Sequence, residues 1–169
     1  MGLGNPLARY THTRHNIGHR VLDEAKKEFS GEKGVLWIKT TVYMNASGME
    51  IRKILDKYAV TVRELLVVCD DAQLRLGDIR IRPSGSSGGQ NGLQSVIEVL
   101  GTEDFARLRV GVGPLPEHAE ITEFVLSEFN AEENEAVRAS ARKSAEAAMH
   151  WARHGCEAAM NRFNERSTI

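Results

Sequence analysis

The chain has 169 residues, 41% of them hydrophobic and 27% charged, with a net charge of −1. A domain of that length buries about two-thirds of the surface its extended chain would expose, and so balanced a composition excludes a disordered, collagen-like or disulfide-framework protein. The longest purely apolar run, Leu65 to Cys69, is too short to span a bilayer, and Met1-Gly2-Leu3-Gly4-Asn5-Pro6 has neither the charged start nor the apolar stretch of a secretory signal.

Ile17, Val21, Leu22, Ala25 and Phe29 share one face at a 3.6-residue period and predict a first helix, stopped by Gly31. Leu36 to Tyr43, rich in β-branched and aromatic residues, predicts a strand. Ser47 and Glu50 have the spacing of a capping box ahead of Ile51, Ile54, Leu55 and Tyr58, the buried stripe of a second helix. Leu65 to Cys69 is apolar on both faces, as a parallel strand covered on each side would be, and Asp70 and Asp71 are expected just past its carboxyl end. Ligands of open α/β sheets bind at that end, so these carboxylates are candidates for chemistry. Asp78 to Arg82 alternates charged and apolar residues, as an edge or half-exposed strand does. The glycine-rich Pro83 to Gly92 then leads into a helix carrying Leu93, Val96, Ile97 and Leu100. Leu108, Val110 and Val112 alternate again; Asn130 and Glu133 cap a long Ala-rich helix that runs to about Gly155, and a last segment holds Met160 and Phe163. Strands alternating with helices predict a single α/β domain over residues 1–169, with a mixed, mostly parallel sheet packed between helices.

The net charge hides a division. Residues 1–109 hold 16 Lys and Arg against 13 Asp and Glu, whereas residues 110–169 hold 6 against 10. Arg9, Arg14 and Arg20 cluster with His12, His15 and His19, compatible with a basic patch facing a polyanion. Cys69 and Cys156 lie far apart, which suits reduced thiols and a cytoplasmic setting. Gly2-Leu3-Gly4-Asn5-Pro6-Leu7 lacks the third glycine and the preceding strand of a dinucleotide fingerprint. Gly85-Ser86-Ser87-Gly88-Gly89 matches Gly-x-Ser-x-Gly, which would make Ser87 the nucleophile of a serine esterase; that elbow needs the helix to begin at the serine, and here more glycines and Asn91 intervene. His15 and His19, one helical turn apart, could take a zinc ion with Asp70 or Asp71, although no accompanying glutamate motif supports that reading.

Taken together in order, several segments resemble the bacterial-type peptidyl-tRNA hydrolase family. They are Gly2-Leu3-Gly4-Asn5-Pro6, Tyr10, Thr13-Arg14-His15-Asn16, Tyr43-Met44-Asn45, the Asp70 strand end, Gly88-Gly89-Gln90-Asn91-Gly92-Leu93, Arg107 to Gly113, Phe124-Val125-Leu126 and Ala159-Met160-Asn161. The resemblance spans nearly the whole chain. It implies cleavage of the ester joining a peptide to the 3′-terminal ribose of tRNA by a cytoplasmic monomer that needs neither metal nor cofactor. His15 would activate water, and Asp70 would hold its imidazole; a neutral histidine suits proton transfer near pH 7, and a carboxylate on its other nitrogen fixes the tautomer. Asn5, Asn45 and Asn91 would line the peptide cleft and donate to the developing oxyanion, with Tyr10, Tyr43 and Met44 as apolar walls. Arg82 and Arg109 would meet the tRNA backbone.

The departures from the family pattern, Leu7, Gln90 in place of a common histidine, and Cys69, are expected to touch the rim of the site. The family also has an apolar strand ahead of Gly2, so the expectation is either a start upstream of Met1 or an open row of backbone groups beside Leu65 to Cys69. A second reading, an RNA-binding protein without turnover, follows from a chloroplast relative that works in intron splicing; the intact catalytic positions favour the hydrolase.

Overall fold

A computed structural model describes residues 1–164. A three-stranded sheet in the order β1-β3-β2 is built from β1 (Leu66–Arg75), β2 (Ile79–Arg82) and β3 (Ala106–Gly113). The pair β1/β3 is parallel and β2/β3 antiparallel, so the sheet is mixed and β2 is an edge, one of the two placements that the alternation in Asp78 to Arg82 allows. The helices are α1 (Ile17–Phe29), α2 (Ser47–Tyr58), α3 (Asn91–Leu100), α4 (Ile121–Leu126) and α5 (Asn134–Phe163). Side chains alternate across a strand, so the sheet feeds two cores. Leu66, Val68, Leu108 and Val110 pack with α1 and α5, whereas Val67, Cys69, Leu93, Val96 and Phe105 pack with α2 and α3. Two close approaches depend on glycine: a Cβ on Gly18 would strike the carbonyls of Leu3 and Val68, and one on Gly48 the backbone of Ser95.

Several local expectations change. Strand β1 continues well past Cys69, so Asp70 and Asp71 lie inside it, paired with Val110 and Gly111, and the ladder becomes irregular only beyond Asp71. Successive residues point to opposite faces, so this places the two carboxylates on different sides of the sheet. Leu36 to Tyr43 forms no strand. Among the described residues its one ladder partner is Gly2, which donates to the Ile38 carbonyl and accepts from Thr40 N–H, and one residue cannot support a continuous ladder. The Ser47/Glu50 capping box does not form either. A 3-10 turn over Met44–Ala46 precedes α2, the Ser47 hydroxyl donates back to the Met44 carbonyl, and the Glu50 carboxylate accepts from the backbone N–H and hydroxyl of Thr41. The reciprocal box occurs instead at Thr61 and Glu64, and the Asn130/Glu133 pair bonds reciprocally one turn ahead of α5. Gly155, at φ 82°, breaks α5 where the sequence reading ends its long helix.

Met1 to Leu3 run parallel to the start of β1. The Met1 amine donates to Leu66 O, Val68 N–H to Met1 O, and Leu3 N–H to Val68 O. Burial lowers that amine from 8.0 to about 5. Beside this short ladder lies a cavity of about 710 Å³, bordered by Met1, Trp37, Leu65, Leu66, Phe105 and Trp151. The row of backbone groups expected to lie open beside Leu65 to Cys69 is therefore bonded at Leu66 O and at both the N–H and C=O of Val68.

His19 packs its ring on Gly4 and bonds the Thr40 hydroxyl at 3.3 Å. Burial, helped by the nearby Lys39 charge, lowers its pKa from 6.5 to about 4. The folded state keeps this imidazole neutral, whereas the unfolded chain takes a proton as the pH falls through 6.5. Stability should therefore decline between pH 6.5 and about 4, and His19→Gln should flatten that part of a denaturation-versus-pH curve. An unchanged slope would assign the decline to other groups.

Candidate active site

The carboxyl end of β1, the turn before α1 and the start of α3 meet around a pocket of about 440 Å³. His15 stands on a 3-10 turn, Arg14–Asn16, directly ahead of α1, and its Nδ1 lies 2.9 Å from Asp70 Oδ1. Both are buried, with Asp70 only 3% exposed and His15 8%. A carboxylate so placed orients the ring and compensates positive charge on it, leaving Nε2 as the nitrogen not engaged by Asp70.

The turn is held from below and from the side. The Asn16 amide accepts from Asn5 N–H and donates to Asn5 O, both at 2.9 Å, as a strand neighbour would. The Asn5 side chain accepts from Met44 N–H at 2.9 Å, which fixes its flip and turns its NH₂ away from that contact. Arg14 binds both carboxylate oxygens of Glu133, at 2.9 and 2.8 Å, donates to Val112 O, and lies between the rings of Phe124 and Phe129. The Arg14 contact holds the Glu133 carboxyl below its ordinary pKa. Through Arg14, the histidine turn is tied to α4, whose Ile121, Thr122, Val125 and Leu126 border the pocket.

The glycine loop opposite is anchored by arginines of β3. Arg107, almost wholly buried, donates to the carbonyls of Phe105, Gly85, Ser86 and Glu103. Arg109 lies 3.1 Å from Asp71 and donates to Ser87 O. Asp70 and Asp71 thus serve different partners, a histidine and an arginine. Gln90 is the N-cap of α3: its Oε1 accepts from Leu93 N–H at 2.7 Å, and its Nε2 donates to Asp70 Oδ1 at 2.9 Å. Gln90 is therefore in contact with the dyad and not at the rim, and Cys69 is a core residue. Burial, with the adjacent Asp70 charge, pushes the Cys69 thiol far up, which disqualifies it as a nucleophile.

The pocket brings together His15, Asp70, Asn5, Tyr43, Met44, Asn45, Asn91 and Arg109. It does not include Tyr10, whose partly exposed ring lies under the Arg9 guanidinium on a separate 3-10 turn. Arg82 is exposed on β2, outside the pocket lining. Register pairs Arg82 with Arg107 and Arg80 with Arg109, so four arginines share one sheet face. Arg80, Arg107 and Gln90 were not singled out as site residues by sequence reasoning; the alternation of Asp78 to Arg82 already places Arg80 beside Arg82 on the exposed side. The Ser87 hydroxyl accepts from Gly89 N–H at 3.4 Å, and among the described residues no hydrogen bond joins it to a histidine. His19 points to Thr40, and no group of three or more potential metal ligands is assembled among the described residues.

A model of the peptidyl-tRNA hydrolase family matches residues 1–169. Peptidyl-tRNA hydrolase from Chlorobium phaeobacteroides (strain BS1) is 43% identical over 184 aligned positions, covering 99% of this chain and 97% of that protein. The one from Prosthecochloris aestuarii is 44% identical, covering 96% and 94%. Among solved structures, an arginine-to-glutamine mutant of peptidyl-tRNA hydrolase from Acinetobacter baumannii superposes with a TM-score of 0.86 at 25% identity, over 96% of this chain and 92% of that one.

The loop anchor is testable without substrate. Arg107→Met removes every donor to four carbonyls and should cost about 2–4 kcal/mol of stability. Hydrogen exchange at Gly88 to Gln90 should accelerate ahead of global unfolding; exchange at the wild-type rate would show that the loop holds itself.

Proposed function

Because this chain belongs to the peptidyl-tRNA hydrolase family, we propose that His15 and Asp70 are the groups with which it hydrolyses peptidyl-tRNA. The observation that carries this reading is the buried Nδ1–Oδ1 contact of 2.9 Å at the floor of the pocket. With Nδ1 given to Asp70, Nε2 is the basic nitrogen offered to water. It takes a proton as the water oxygen bonds to the ester carbonyl carbon, and the tetrahedral intermediate carries the negative charge on the former carbonyl oxygen. The amides of Asn5, Asn45 and Asn91 supply donors to that oxygen or to the peptide backbone. Contacts of this kind ignore peptide side chains. The bond from carbon to the ribose 3′ oxygen then breaks, His15 returns its proton to that oxygen, and the products are a peptide acid and a tRNA with a free 3′ hydroxyl.

Tyr43, Met44, Ile121 and Leu126 offer apolar surface to the peptide. Tyr43 and Ile121 are nearly half exposed, as walls awaiting a ligand would be. Arg82 and Arg109 face the tRNA backbone, Arg109 sharing its charge with Asp71. The enzyme acts as a cytoplasmic monomer without a metal or cofactor; no helix among the described residues is long and apolar enough to cross a membrane.

His15→Ala should lower kcat on N-acetyl-aminoacyl-tRNA by about a hundredfold or more with the fold intact. Asp70→Asn should also be slow, whereas EDTA and a fluorophosphonate should leave the wild-type rate unchanged. A folded His15→Ala protein with near wild-type turnover would rule the mechanism out. Arg82→Ala should weaken tRNA binding and flatten its slope against log salt by about one unit, since one phosphate contact releases about one counterion. It should spare a short ester that lacks the tRNA body; equal loss on both substrates would make Arg82 a fold residue.

A further inference from the structure

Gln90 touches the Asp70 carboxylate alongside His15, and its orientation is not free. A backbone N–H can only donate, so Leu93 N–H at 2.7 Å requires Oε1 of Gln90 on its side, and Nε2 must then face Asp70. Asp70 Oδ1 receives that N–H at 2.9 Å and lies 2.9 Å from His15 Nδ1. An oxygen already accepting one strong donor is best completed by a second donor, and that places the ring proton on Nδ1. We infer that Gln90 is a positioning residue for the reaction: it transmits the fixed direction of the Leu93 amide through Asp70 to His15, so that the imidazole holds its proton on Nδ1 and presents Nε2 as the base. The same side chain caps α3, whose first residue is Asn91, and so keeps the peptide-binding amide and the dyad in register. Its Nε2 also lies 3.4 Å from the Met44 sulfur, a contact that closes the apolar side of the amide.

This inference rests on the His15 and Asp70 assignment and deepens it. The charged groups described around the dyad are Asp71, next to Asp70 on β1, with Arg109 of β3, and Arg14 with Glu133 at the histidine turn; α3 brings no charge in its first turn. Those pairs are internally matched, so substitutions at Gln90 change the field at Asp70 without moving them.

Two variants separate positioning from capping. Gln90→Glu keeps an acceptor for Leu93 N–H and the size of the side chain but faces Asp70 with an oxygen instead of an N–H. Gln90→Met removes both functions. If Gln90 positions the dyad, both variants should lose about tenfold to a hundredfold in kcat with little change in KM. In Gln90→Glu the acid limb of kcat/KM should also move to higher pH, because added negative charge favours the protonated ring. Nitrogen-15 NMR of histidine-labelled protein reads the tautomer without substrate: wild type should show His15 protonated on Nδ1 alone, and both variants a mixture. If Gln90 only caps α3, Gln90→Glu would keep wild-type kcat, pH profile and tautomer, and Gln90→Met would lose stability alone; either finding overturns the inference. Wild type and His15→Ala run alongside keep the two readings apart. Equal turnover in those two would defeat the hydrolase assignment, while the NMR result would still judge Gln90.

Discussion

A single carboxylate oxygen organises the molecule's working end. Asp70 is buried on β1, where a charge is tolerated only when donors surround it. Its donors come from parts of the chain far apart in sequence: His15 from the turn before α1 and Gln90 from the cap of α3. The strand that carries Asp70 is fixed by its parallel register with β3, and the helices that carry its partners are packed on opposite faces of that sheet. Disturbing either core therefore moves a donor away from the oxygen, and the fold's stability and the site's geometry rest on the same contacts.

Around that oxygen, two polar side chains are occupied at one end only. Asn5 gives its carbonyl to Met44 N–H, and His15 gives Nδ1 to Asp70. This arrangement meets the requirement that buried polar groups be bonded while leaving the Asn5 NH₂ and His15 Nε2 outside those contacts. The arginines divide the work. Arg14 and Arg107 are internal clamps, one for the histidine turn and α4, the other for the glycine loop, whereas Arg80 and Arg82 are exposed on the edge strand β2.

That Asn5, His15, Tyr43, Met44, Asn45 and Asn91 gather in one pocket was legible in the sequence because they sit in short motifs beside turns, and the periodic stripes placed the helices well. What escaped depends on contacts between distant segments. The spacing of Ser47 and Glu50 suggests a capping box, but Thr41 offers the glutamate a better pair of donors and the serine turns back to Met44. Leu36 to Tyr43 has strand composition, but only Gly2 is there to pair with it. Asp70 and Asp71 looked like loop carboxylates because the apolar run ends at Cys69; β3 nonetheless continues to pair with them. Gln90 read as a substitution at the rim, since nothing local reveals that its amide reaches a strand twenty positions earlier. Helix α4 is too short and too mixed in pattern to announce itself.

The central claim is that His15, held by Asp70, takes the proton from water. Chemical rescue tests it most directly. His15→Gly leaves a hollow beside the ester in which a small added base can act. The account predicts that imidazole and its methyl derivatives restore hydrolysis of N-acetyl-aminoacyl-tRNA, with rates that rise with the basicity of the added compound. A His15→Gly enzyme that keeps its rate, or whose rate is indifferent to the strength of the added base, would contradict it.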